Sequence, residues 1–195
     1  MINEIKKLRE KAKQDGNPVL RDKSFELLLE VVEKKQPSRI LEIGTNVGLT
    51  GIAMLLVSKS SKLTSLEIDE NVAKIAQANY KHFGVEERAK IFKGDCSEII
   101  PVLTGKYDFI FLDGPKGHYF EYVQNLLSVL NVGGILFADN VLFRGYVNSK
   151  EKTPKKYNTT RFSMEKFLDY VTNNKGLKTQ VIDLEDGVSI TEKLW

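Results

Sequence analysis

A chain of 195 residues, 42% hydrophobic and 28% charged, has the composition of one globular domain and excludes a disordered or low-complexity protein. A formal net charge of +3 excludes a general polycation, so any contact with nucleic acid must come from a local basic patch. The one cysteine, Cys96, excludes an intrachain disulfide and a cysteine-rich zinc site; with no signal-peptide pattern and no membrane-length apolar run, a soluble, cytoplasmic protein with no membrane partner is expected.

Helical spacing over residues 2–14 and 21–35 is interrupted by the breaker cluster Asp15-Gly16-Asn17-Pro18. Residues 1–36 therefore read as N-terminal helices, and 37–195 as the core of a single domain spanning 1–195. A short buried strand at 38–44 ends in glycine, and a helix follows at 49–58. The alternation continues with strands at 63–69, 89–94, 107–113 and 134–139. Helices at 71–83, 97–103 and 119–130 separate them. Parallel strands need crossovers, which place helices outside the sheet, so this pattern predicts a doubly wound α/β fold with helices on both faces. A polar, basic loop runs to about 160, then a helix over 161–172. Strands at 178–184 and 188–191, joined by Glu185-Asp186-Gly187, close the chain as an antiparallel hairpin on a mostly parallel seven-stranded sheet.

Ligands of such sheets bind beyond the carboxyl ends of the strands, which here are Gly44, Asp69, Asp95, Asp113 and Asp139-Asn140, with Glu67 close by. Gly44 and Gly48 allow a tight turn and close backbone approach, and the helix after them offers its N-terminal amides. Glu67 lies nineteen residues beyond Gly48, which suits a carboxylate that accepts two ribose hydroxyls. A nicotinamide dinucleotide is the rival ligand. Its fingerprint is G-x-G-x-x-G, however, and here Gly44, Gly48 and Gly51 give G-x-x-x-G-x-x-G, with the acid Glu42 set against a pyrophosphate.

The run Glu42-Ile43-Gly44-Thr45-Asn46-Val47-Gly48 resembles the first motif of class I S-adenosylmethionine methyltransferases, which have a Rossmann-like fold. The resemblance implies S-adenosyl-L-methionine as cofactor. Glu42, Gly44 and Asn46 would face its methionine part, Gly48 and Thr50 would start the helix beside it, Glu67 would hold the ribose, and Asp95-Cys96 the adenine. Cys96 also reads simply as a small buried residue.

Asp113-Gly114-Pro115-Lys116 follows one strand and Asp139-Asn140 the next. Hard oxygen ligands at neighbouring strand ends suit magnesium, although each aspartate alone is more often a turn or N-cap residue. From about Pro18 onward the chain is similar to the metal-dependent O-methyltransferases of the catechol and caffeoyl-coenzyme A type. That resemblance implies Asp113, Asp139 and Asn140 as ligands of Mg2+ or Mn2+, with Asp113 also beside the cofactor. Lys116 would be the general base, and a homodimer is expected. His118, isolated at a helix start, reads as non-catalytic.

The stretch Asp139-Asn140-Val141-Leu142-Phe143-Arg144-Gly145-Tyr146-Val147, with Asp186-Gly187-Val188-Ser189-Ile190, resembles the bacterial branch that methylates 5-hydroxyuridine at the tRNA wobble position. That base carries two adjacent oxygens, as a catechol does. Arg144, Lys150, Lys152, Lys155, Lys156 and Arg161 face only Glu151 in this segment, a strip suited to tRNA phosphates, with Tyr146 or Tyr157 to stack on a base. The alternatives are an O-methyltransferase for small hydroxylated aromatic substrates, a non-catalytic RNA-binding module, and for the strip itself a solvated basic loop.

Overall fold

The computed structural model describes residues 1–147, 149 and 153–195, which form two units, Met1–Cys96 and Ser97–Trp195.

In the first unit the apolar stripes of α1 (Ile2–Gln14) and α2 (Asp22–Lys35) bury Ile5 and Ala12, and Phe25, Leu28 and Val32. Both helices pack against α3 (Leu49–Val57). Arg9 is a cation only 2% exposed. Its guanidinium lies 3.7 Å from the Phe25 ring centroid and donates to the Leu20 carbonyl and to Asp22. These partners offset its desolvation and fix the turn between the two helices. Strands β1 (Arg39–Ile43), β2 (Lys62–Glu67) and β3 (Ala89–Lys93) run parallel in the order β3-β2-β1, with Ile40 opposite Leu63 and Leu63 opposite Ala89. Ile40 to Ile43 are all buried, so both faces of β1 are covered, as a parallel strand flanked by helices requires. Helix α4 (Glu70–His82) begins at Asp69, whose carboxylate accepts from the amides of Asn71 and Val72. The sequence placed Asp69 at a strand end, and it serves as that N-cap.

In the second unit α5 (Cys96–Ile99) and a 3-10 turn precede β4 (Tyr107–Leu112). Helix α6 (Tyr119–Val129) leads into β5 (Leu130–Asp139), which is parallel to β4. After α7 (Asn158–Asn173), β6 (Leu177–Ile182) and β7 (Val188–Lys193) form the expected antiparallel hairpin. β7 lies antiparallel between β5 and β6, giving the order β4-β5-β7-β6. Strand β5 starts four residues before the expected 134. Gly133, at φ 72, and Gly134, where an added Cβ would lie 2.7 Å from Leu130 Cδ1, sit inside the strand instead of preceding it. Helix α7 starts at Asn158 instead of 161, because a 3-10 turn at Lys155–Tyr157 feeds straight into it. Among the described residues, no helix is long and apolar enough to cross a membrane.

Candidate active site

The turn after β1 is built on left-handed backbone: φ is 97 at Gly44, 49 at Asn46 and 81 at Gly48. Gly48 needs glycine twice over, since a Cβ there would also lie 2.8 Å from Tyr80 Cε1. Thr50 occupies the first turn of α3. The Asn46 amide donates to Glu67 Oε2 at 2.7 Å, and the Asp69 amide to Glu67 Oε1 at 3.0 Å. A carboxylate has about four lone-pair sites, so Glu67 is fixed in direction with acceptor capacity remaining for two hydroxyls. Ile68, 67% exposed, follows it and offers apolar surface that the sequence reading passed over.

Two residues of this turn have partners within the protein. The Glu42 carboxylate is fully buried and accepts from Ser65 Oγ at 2.6 Å, on the strand residue paired with it. Ser65 spends its one proton on Glu42, so the Thr45 hydroxyl bonded to it must be the donor of that second contact. Gly51 makes room for this network: a Cβ there would lie 2.8 Å from Glu42 Oε2 and 2.6 Å from Leu63 Cδ2. Through Oε2, Glu42 therefore braces the turn from inside. The Asn46 side chain is likewise committed, donating through Nδ2 to the Pro18 carbonyl at 2.6 Å and accepting the Val47 amide at 2.6 Å. Its backbone, not its amide group, is what it offers at the turn. Gly94 donates to the Glu67 carbonyl at 2.9 Å, which brings Asp95 and Cys96 to the same strand ends. Burial pushes the Cys96 thiol up to about 11, and Asp95 and Glu67 add to it. That agrees with a small neutral packing residue.

In the second unit Lys116 Nζ sits 2.5 Å from Asp113 Oδ1, with the two side chains only 22% and 25% exposed. Asp139, at the end of β5, is 2% exposed, and Asn140 follows in left-handed conformation at φ 58. Between them stands Tyr119, fully buried, whose hydroxyl reaches the Leu112 carbonyl at 2.9 Å and the Asp139 carbonyl at 3.2 Å. Burial foremost, then Asp113 and Asp139, raise its pKa well above the usual phenol value, so both carboxylates bear on this one hydroxyl. Among the described residues no group of three or more His, Cys, Asp or Glu side chains is assembled for a metal. The set present is two carboxylates and an amide, all hard oxygen donors of the kind magnesium takes while keeping water and substrate positions. His118 pairs with Glu121 at 2.7 Å and stacks on Tyr122.

Beyond Asn140 the backbone turns left-handed again at Phe143, Arg144 and Gly145. The turn between β6 and β7 holds it there. Val141 and Leu142 donate to the carbonyls of Gly187 and Asp186, and the Arg144 amide donates to Asp186 Oδ1 at 2.5 Å. Phe143, Tyr146 and Tyr157 pack as one aromatic cluster, with Tyr146 and Tyr157 stacked 5.8 Å apart. Arg144 and Lys156 lie 5.3 Å and 4.8 Å from the Tyr157 ring centroid, and Lys155 is exposed on the same turn. Arg161 departs from the expected strip. It donates to Glu165 at 2.8 Å and to Thr153 at 3.0 Å, and is spent on holding the start of α7. Lys150 and Lys152 lie outside the described residues.

Known proteins similar to this chain are O-methyltransferases. A catechol O-methyltransferase of Niastella koreensis is 34% identical over 136 residues, 67% of this chain and 60% of that protein. A caffeoyl-CoA O-methyltransferase of Populus kitakamiensis is 24% identical over 91% of this chain and 77% of its own. The chain spans about half the length of several curated relatives it matches, 43%, 60% and 54% in three of them. In structure, the O-methyltransferase TomG from Streptomyces achromogenes, solved with SAM, superposes with a TM-score of 0.86 at 21% identity, over 98% of this chain and 89% of that one. The fold is therefore the Rossmann-like, seven-stranded methyltransferase fold. The O-methyltransferase family profile matches residues 2–194, and on that match the chain belongs to the O-methyltransferase family.

Proposed function

We propose that this protein is an S-adenosylmethionine-dependent, divalent-cation-dependent O-methyltransferase for acceptors that carry two adjacent oxygens. The observation that carries the reading is the Asp113–Lys116 pair set beside the buried Asp139 at the ends of β4 and β5. The Lys116 ammonium on Asp113 marks a place that accommodates positive charge, and the oxygen donors there fit Mg2+ or Mn2+. The family match runs through both units, which supports their acting as one methyltransferase domain.

When bound, S-adenosylmethionine supplies an electrophilic methyl group, and a divalent cation lowers the cost of deprotonating a nearby hydroxyl. Glu67, aimed by two backbone amides, would accept the ribose hydroxyls, and Ile68 would cover the adenine beside Asp95 and Cys96. Asp113, Asp139 and Asn140 would hold the cation. Methylation replaces an O–H bond by an O–CH3 bond, so the chain must provide a proton acceptor. Lys116 Nζ, after releasing the proton of its Asp113-bound ammonium to solvent, would take the acceptor hydroxyl's proton as the free amine.

A narrower acceptor, 5-hydroxyuridine in the tRNA wobble position, is supported by one feature: Arg144 and Lys156 over Tyr157, with Lys155 adjacent, join phosphate-binding charge to an aromatic surface. The test sets the two acceptors side by side, using labelled cofactor, Mg2+ and either a catechol or tRNA containing 5-hydroxyuridine. On the tRNA reading 5-methoxyuridine appears, and K155E/K156E weakens that reaction in a salt-dependent way while sparing catechol. Turnover of catechol alone leaves the small-molecule reading, and turnover of neither sinks both.

A further inference from the structure

We infer that Tyr119 is a positioning residue for the cation site, a hydroxyl clamp that sets how far apart the Asp113 and Asp139 strand ends stand. The inference rests on the cation reading above. The parallel pairing of β4 and β5 ends at Leu112 opposite Ala138, one residue short of each aspartate. Beyond that point no β4–β5 pairing fixes the spacing. The Tyr119 hydroxyl takes over there, its single proton shared between the Leu112 carbonyl at 2.9 Å and the Asp139 carbonyl at 3.2 Å.

The clamp cannot drift. Tyr119 is fully buried, its ring meets Phe167 edge-on at 5.6 Å, and Lys116 Nζ lies 5.8 Å from the ring centroid. The residue also opens α6, three positions after Lys116, so one short segment carries the proposed base and the strut between the proposed ligands. Partners that orient metal ligands usually matter to affinity about 10–100-fold when removed.

The test is Mn2+ binding followed by loss of the free Mn2+ paramagnetic resonance signal, for wild type, Y119F, Asp139→Asn and Y107F. Tyr107 is a buried tyrosine at the other end of β4, so Y107F reports the general cost of removing a buried hydroxyl. Circular dichroism confirms that each variant is folded. Y119F is expected to bind Mn2+ at least about tenfold more weakly, with Y107F within about twofold of wild type. Wild-type affinity in Y119F, or equal weakening in Y107F, overturns the clamp alone. Failure of the wild type to bind Mn2+, or undiminished binding by Asp139→Asn, overturns the cation reading and the clamp with it.

Discussion

Substituting Gly48 by alanine probes the turn that positions Glu67. At φ 81 a side chain pays the left-handed penalty, about 1–2 kcal/mol. The new Cβ would also lie 2.8 Å from Tyr80 Cε1 and 3.1 Å from Ala76 Cβ. Tyr80 is 2% exposed and has nowhere to swing, so overpacking adds about 1–3 kcal/mol. The sum is about 2–5 kcal/mol, on the order of 4–20 °C in Tm for a chain of this size. Gly84 supplies the internal control, since it has φ 65 and nothing within 4 Å of an added Cβ. Gly84→Ala should then cost only the backbone part, about 1–2 kcal/mol. Urea denaturation of both variants gives the comparison. If Gly48→Ala is no more destabilised than Gly84→Ala, the steric half of the argument is wrong.

Cys96 should react with a thiol reagent at pH 8 roughly two orders of magnitude more slowly than a free cysteine, because only the thiolate reacts and the buried thiol titrates near 11. The sign for stability follows. A folded-state pKa raised from 9.0 contributes stability that is intact below pH 9 and fades as pH rises toward 11, so Cys96→Ser should flatten the alkaline limb of a Tm-versus-pH curve. Labelling at the rate of a free thiol would refute this. Asp186→Ala removes the acceptor of the Arg144 amide and should cost about 1–3 kcal/mol. It should also raise KM for the acceptor while leaving the Kd of the cofactor unchanged; a changed cofactor Kd with an unchanged KM would contradict the role given to this turn.

Much of the architecture could be read from periodicity, because parallel strands with both faces covered are short apolar runs between breakers. The strand from Ile40 to Ile43 and the one ending at Leu112 are of this kind. The start of β5 is hidden in the sequence because a glycine pair inside a strand looks the same as one before it. The strand ends Gly44, Glu67, Asp113 and Asp139 were visible for the same periodic reason. What escaped depends on contacts distant in sequence. Ser65 beneath Glu42 comes from a neighbouring strand, and only that pairing shows the carboxylate turning inward. Asn46 reaches Pro18 across 28 residues, and Arg144 reaches Asp186 across 42. Arg161 is different. Glu165 stands four residues on, and that helical spacing could have shown that the arginine has a local partner. Tyr119 had its signal too, three residues beyond Lys116.

The most direct test of the central claim is methyl transfer from labelled S-adenosylmethionine to a catechol or to 5-hydroxyuridine in tRNA, with Mg2+ or with excess chelator, for wild type and Lys116→Met. The account predicts Mg2+-dependent transfer to one hydroxyl, abolition by chelator, and a loss of about 10²–10⁴ in kcat for Lys116→Met with cofactor binding intact. Transfer that persists in chelator, or a Lys116→Met enzyme at the wild-type rate, would contradict it.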